Sequence, residues 1–330
     1  MPYDGKIMHR ALQRFDEDKQ RRAQQFAARQ RKLFAQIPEL QEIDRELRST
    51  MSQIIASALR RGTDPLPAIA VIRDKNLSLQ RRRTELLERH GYPADYLEEK
   101  PRCPYCRDSG YRGDAICSCL QSYYAREQIQ ELSQMLDIGT QSFDTFSLDW
   151  YADERGSRRY SPRENSRHNL MVCQRYASDF GPRSGNLLLF GAPGLGKTFL
   201  SACIARVVSE DGFSVVYDTA SHIFTQYEQL RFRRDDDLIA ESDVTRYENC
   251  DLLIIDDLGT EMLTSFVQST LYQIVNSRLL NGKKTIISTN LNPEEIGSRY
   301  SPQVLSRIEG DYEILPFFGE DIRRLKRERS

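Results

Sequence analysis

Residues 187–199 read LLLFGAPGLGKTF. Four apolar residues run into a glycine-rich turn, and the turn runs into a helical pattern. Gly191, Gly194, Gly196, Lys197 and Thr198 fit a G-x-x-x-x-G-K-[ST] loop between a strand and a helix. Each residue type has a physical reason to be there. Glycines let backbone N–H groups face phosphate oxygens, and the helix start adds its positive end. Lys197 supplies a full charge, and the Thr198 hydroxyl is a ligand for Mg²⁺. The stretch predicts a phosphate-binding loop on a strand–loop–helix unit.

Outward from this loop, apolar runs alternate with helical patterns. LLLF, FSVVYD, LLIIDD, KTIISTN and YEILPF are five strand candidates, with a helical stretch from Thr264 to Leu280. This rhythm predicts an α/β domain with a parallel sheet covered by helices. LLIIDD ends in Asp256, placed to hold Mg²⁺, and in Asp257. Asp257 stands where a general base would polarise water; many P-loop ATPases carry Glu there, so its shorter reach leaves a structural or sensing carboxylate as the alternative. KTIISTN ends in Asn290, a candidate sensor of the terminal phosphate, with Ser288 and Thr289 beside it.

GAPGLGKT, DLLIIDDLGTE, TIISTNL and SRIEGDYEILPFFGEDIR occur in this order. Together they resemble AAA+ ATPases of the DnaC/DnaI helicase-loader group, whose clade includes the IstB transposition helpers. The resemblance covers about residues 140–330. It implies an AAA+ P-loop ATPase with a 5-1-4-3-2 parallel sheet and a reduced lid. It places an arginine finger at Arg307, reaching a neighbouring subunit's nucleotide, and a sensor arginine at Arg323; the plain alternative for each is a surface arginine. SFDTFSLDWY falls where the family's linker passes the adenine, and Phe143 and Phe146 are read as core packing rather than base contacts. Between the second and third strands the family carries a helical element that lines a single-stranded DNA path. Here Arg231, Phe232, Arg233 and Arg234 combine charge with a ring, as phosphate and base contacts require, although the adjacent DDD weakens the match.

The other half is different in kind. From residue 8 to 60 the chain is rich in Arg, Gln, Ala and Leu, and Pro38 splits the pattern into two helices. After the turn GTDPLP, a further helix from Pro67 to His90 completes an antiparallel hairpin. Residues 1–100 hold 20 basic and 15 acidic side chains, an excess that suits either solvated helix faces or an acidic partner. Then comes CPYCRDSGYRGDAICSCL. Cys103, Cys106, Cys117 and Cys119 form two short pairs across a glycine-containing loop, the spacing of a tetrahedral Zn²⁺ site. His90 is near enough in sequence to replace one thiolate. No water-activating acid accompanies the knot, which makes it structural. Cys173, Cys203 and Cys250 stand alone and read as small core residues.

No run approaches about 18 apolar residues and no secretory signal opens the chain, so a cytoplasmic protein without membrane attachment is expected. The expected organisation is a helical region (1–100), a zinc module with its following helix (101–135) and an AAA+ domain (136–330, with linker 136–185 and core 186–330). Gram-positive helicase loaders are similar in carrying a zinc-bearing N-terminal module, and IstB helpers as a group are not. The resemblance therefore implies an ATPase that uses ATP, Mg²⁺ and Zn²⁺. Its implied partners are a DnaB-type replicative helicase, single-stranded DNA and further copies of itself. An IstB-like transposition helper and a nucleotide-switched zinc adaptor with little hydrolysis are the alternatives.

Overall fold

The computed structural model describes residues 3–58, 66–136, 141–232 and 238–329. The chain divides into two compact units: Phe15–Arg112, and Met1–Arg14 together with Gly113–Ser330. Along the chain run α1 (Gly5–Gln36), α2 (Pro38–Ala58), α3 (Leu66–Arg89), β1 (Tyr111–Arg112), β2 (Ala115–Ile116) and α4 (Ser118–Leu136). Then follow α5 (Pro162–Ser178), β3 (Asn186–Gly191), α6 (Lys197–Glu210), β4 (Val215–Thr219), α7 (Ala220–Phe232) and α8 (Leu238–Asn249). The remainder is β5 (Leu252–Leu258), α9 (Ser265–Leu280), β6 (Lys284–Thr289), α10 (Pro293–Arg299), α11 (Pro302–Asp311), β7 (Tyr312–Phe317) and α12 (Ile322–Arg329).

In the first unit the helix break falls at Ile37, just before Pro38, as proline's missing N–H dictates. α2 and α3 pair antiparallel, with Arg82 on Glu39 and Lys75 on Glu46. Leu33, Ile37, Leu40, Ile43, Leu86, Leu87 and Leu97 form its buried core. The predicted turn GTDPLP lies mostly outside the described residues.

The second unit is built on a five-stranded parallel sheet in the order β4-β5-β6-β3-β7. Numbered by strand, this is the expected 5-1-4-3-2 sheet. Its inner strands carry apolar runs such as Leu187–Leu189 and Leu252–Ile255 because both faces are covered. Leu253, Ile255 and Ile287 enter the core on one face; Leu252, Ile254 and Ile286 enter the core on the other. The parallel pairings hold the five strands in one sheet, and the loops sit at its C-terminal edge. Beyond β7 the described residues form one eight-residue helix. Cys173, Cys203 and Cys250 are buried in this unit. No helix among the described residues is long and apolar enough to cross a membrane.

Helix α4 belongs to the same unit, and a glutamine ties it there. Gln128, 1% exposed, donates through Nε2 to Ser209 Oγ (2.7 Å) and to the Phe213 carbonyl (3.0 Å). Its Oε1 accepts from the Val215 N–H at 3.0 Å. β4 is an edge strand, and Gln128 satisfies the first of its outward amides. The opening residues of the chain also lie here: Arg14 pairs with the buried Glu127 at 2.6 Å, and the Asp4 N–H donates to the Tyr124 hydroxyl at 3.0 Å.

Candidate nucleotide site

A cavity of about 320 Å³ opens at the C-terminal edge of β3. Its walls include Pro193, Gly194, Gly196, Lys197 and Thr198 from the loop, Asp257 and Asn290 from strand ends, and Arg323 from α12. The loop needs glycine for conformational reasons. Gly191 has φ +142°, and a Cβ there would lie 2.0 Å from the Phe317 carbonyl oxygen. Gly196 has φ +92° and forms the N-cap of α6. The loop is also clamped from outside: the Tyr151 hydroxyl donates to the Leu195 carbonyl at 2.9 Å, and the Ile322 N–H to the Gly194 carbonyl at 3.0 Å.

Lys197 is 5% exposed. Its Nζ donates to the carbonyls of Gly191 (2.7 Å) and Ala192 (2.8 Å) and to Asn290 Oδ1 (2.9 Å). Burial holds its pKa below the usual lysine value, opposed by the charges of Asp257 and Asp256. The ammonium is thus held among neutral oxygens at the loop's centre, a cradle that phosphate oxygens suit better.

Asp256 is buried and receives three hydroxyls. Thr198 Oγ1 lies 3.2 Å from Oδ2, Tyr217 donates to Oδ2 at 2.8 Å, and Ser288 donates to Oδ1. Thr198 and Asp256 are adjacent hard oxygen donors, the set that Mg²⁺ takes. Burial, and then the charge of Asp256, raises the Asp257 carboxyl above the ordinary range. Burial, and then Asp256, raises Tyr217 well above the usual phenol value and keeps it a donor.

The structure brings together Gly194, Gly196, Lys197, Thr198, Asp257, Asn290 and Arg323 around one cavity, with Asp256 in contact behind them. Arg307 is exposed on α11 and does not line it. Phe146 packs against the core, as expected of that ring. It also lines the cavity, because the turn Phe143–Thr145 carries it to the loop's edge. Phe143 packs against the core as expected. Arg231 is exposed, its guanidinium 5.4 Å from the Phe266 ring centroid. Arg233 and Arg234, and the side chain of Phe232, lie outside the described residues. Sequence reasoning missed Tyr217, Trp150, Tyr151 and Lys326. Trp150 and Lys326 line the cavity mouth, with Nζ 5.6 Å from the indole centroid.

The ligand atoms of Cys103, Cys106, Cys117 and Cys119 lie within 4.8 Å of one another. Four thiols converging over so short a stretch are the donor set of structural zinc. His90 is not part of this group. Asp108 buttresses the first pair: its carboxylate accepts from the N–H groups of Arg102 (3.0 Å) and Cys103 (2.9 Å).

A phosphate loop, an acidic strand end and a polar strand end meeting on this strand order define a P-loop nucleotide site of the AAA+ class. The chain belongs to the family described as IstB-like ATP binding protein, whose model matches residues 164–330. The uncharacterized protein YdaV of Escherichia coli (strain K12) is 27% identical over 145 residues, 44% of this chain and 57% of its own length. The replicative helicase loader DnaC of the same strain is 26% identical over 145 residues, 44% of this chain and 58% of its own length. The match therefore spans less than two thirds of these curated relatives. A crystal structure of the DnaC helicase loader aligns over 55% of this chain and 99% of that chain, with a TM-score of 0.46 and 21% identity. A crystal structure of DnaI aligns over 57% and 93%, with a TM-score of 0.44 and 18% identity.

Proposed function

We propose that this protein is an ATP-dependent loader of a replicative DNA helicase. The observation that carries the reading is the assembled cavity, in which Lys197, Asn290, Thr198 and the two aspartates are already in contact or facing one another. The 26% identity to helicase loaders named DnaC supports the biological role. Gly191 to Thr198 would hold the phosphates of ATP, with Lys197 exchanging its carbonyl contacts for phosphate oxygens. Thr198 and Asp256 would hold Mg²⁺, which supplies charge neutralisation at the phosphates when bound. Asp257 orients the attacking water and accepts its proton, and Asn290 contacts the terminal phosphate. Arg323 adds positive charge from the same chain, and Arg307 does so from a neighbouring copy in an assembly on single-stranded DNA.

Residues 1–135 carry the helicase-binding surface, the stretches up to Arg14 and from Gly113 packing within the nucleotide-binding unit, and the four cysteines hold Zn²⁺ that keeps that surface rigid. Residues 136–330 act as the ATP- and DNA-responsive part. The family description favours one second reading, an IstB-like transposition helper.

The test uses the full chain with the replicative helicase of its own host, by size-exclusion chromatography with light scattering, and a DNA-stimulated ATPase assay. A joint peak without ATP, unaffected by Lys197→Ala but lost in Cys106→Ser, is the expected result. No joint peak under any nucleotide condition would refute loading, and DNA-stimulated hydrolysis alone would then favour the transposition helper.

A further inference from the structure

β5 and β6 fall out of step at the acidic pair. Ile255 pairs with Ile287 and Leu258 with Thr289, so Asp256 and Asp257 together stand opposite the single residue Ser288. This is a β-bulge, a device that re-aims a side chain. Asp257 adopts φ +52°, the only non-glycine residue with positive φ among the described residues of its unit. Aspartate tolerates that conformation better than most residues. In a regular strand consecutive side chains would leave on opposite faces. Here Asp256 contacts Thr198 behind the phosphate loop, while Asp257 lines the cavity itself.

At the bulge a side chain takes the Asp257 amide, that of Ser288. Ser288 is fully buried, and its Oγ accepts from the Asp257 N–H at 3.2 Å. The same hydroxyl donates its proton to Asp256 Oδ1. One oxygen therefore fixes the side chain of the first aspartate and the backbone of the second.

We propose that Ser288 is a positioning residue for the acidic pair, locking the β5 bulge so that the short Asp257 side chain reaches into the cavity while Asp256 keeps its orientation. This inference rests on the reading of the cavity as an ATPase site. It assigns Ser288 no contact with substrate. It also accounts for an aspartate in place of the longer glutamate: the turned backbone supplies the direction that an extra methylene would otherwise supply.

The test compares full-length Ser288→Ala and wild-type protein, with melting temperature as a check on folding. Removing one buried positioning hydroxyl should lower kcat about tenfold or more at nearly unchanged KM. ATP affinity in EDTA should stay within about threefold, because the phosphate loop is untouched. Amide exchange in the segment 256–259 should rise while that of β3 and β4 does not. Wild-type kcat, or unchanged exchange at 256–259, overturns the proposal. If the wild-type protein binds ATP but hydrolyses none, the ATPase reading fails separately. The positioning role is then decided by Mg²⁺: loss of the Mg²⁺-dependent gain in ATP affinity in Ser288→Ala supports it, and retention of that gain overturns it.

Discussion

Replacing Gln128 with leucine tests whether α4 is an integral part of the nucleotide-binding unit. The side chains are similar in size, so no space opens for water. The substitution strands the Val215 N–H and the Phe213 carbonyl, and it removes a donor from Ser209 Oγ, which can turn elsewhere. The Val215 amide is buried and costs about 1–3 kcal/mol unsatisfied, while the partly buried Phe213 carbonyl costs about 1 kcal/mol, roughly 2–4 kcal/mol in sum. For a unit of this size that lowers Tm by about 5–15 °C. Calorimetry of the full chain reads it directly, the relevant transition being the one that moves up with Mg²⁺-ATP. Gln130→Leu is the control; Gln130 is exposed on the same helix and bonds only to Arg14 among the described contacts. It should change stability by about 0.5 kcal/mol at most. A Gln128→Leu transition within about 2 °C of wild type would refute the reasoning, since that is less than one unsatisfied buried group costs.

Lys197→Ala should abolish most ATP binding by calorimetry, because phosphate charge in a partly dehydrated loop loses its counter-charge; Asp256→Asn should reduce hydrolysis more than binding. Reduced protein purified without chelator should hold about one Zn²⁺ per chain by metal analysis, and Cys106→Ser should lose it. Chelation should expose four thiols to alkylation, while Cys173 and Cys203, pushed up to about 12 mainly by burial, react only after unfolding. Arg307→Ala and Lys197→Ala proteins, each impaired alone, should regain some ATPase activity when mixed; full activity of Arg307→Ala alone would remove its role at a neighbour's site.

What was legible in the sequence was the chemistry that local order dictates. A phosphate loop needs its glycines, lysine and hydroxyl in one run, so Gly191 to Thr198 identified itself. The five strands were legible because each holds a short apolar run, and the strand order followed from the resemblance those motifs carry. The contacts that converge from separate strands were not legible. Tyr217 reads as one more aromatic strand residue until β4 and β5 lie side by side and its hydroxyl meets Asp256. Nothing in LLIIDD announces that Asp257 turns to a positive φ, because the cause is a register slip against β6. Gln128 looks like any polar helix residue, and only the packing of α4 on α6 shows that it closes an edge-strand amide. Phe146 was placed in the core because apolar rings usually are; its second role depends on where a short 3₁₀ turn sets it down.

The indole at the mouth of the cavity has a practical consequence. Trp150 is the only tryptophan in the chain, and it stands at the cavity mouth under the ammonium of Lys326. The protein therefore carries a built-in optical probe whose emission arises from one place. A nucleotide entering beside the ring would alter its polarity and quenching, so occupancy can be followed in native, unlabelled protein, in stopped flow as readily as at equilibrium. A partner that contains tryptophan would add background, but an oligonucleotide would not, so any nucleotide release that DNA provoked would be directly visible.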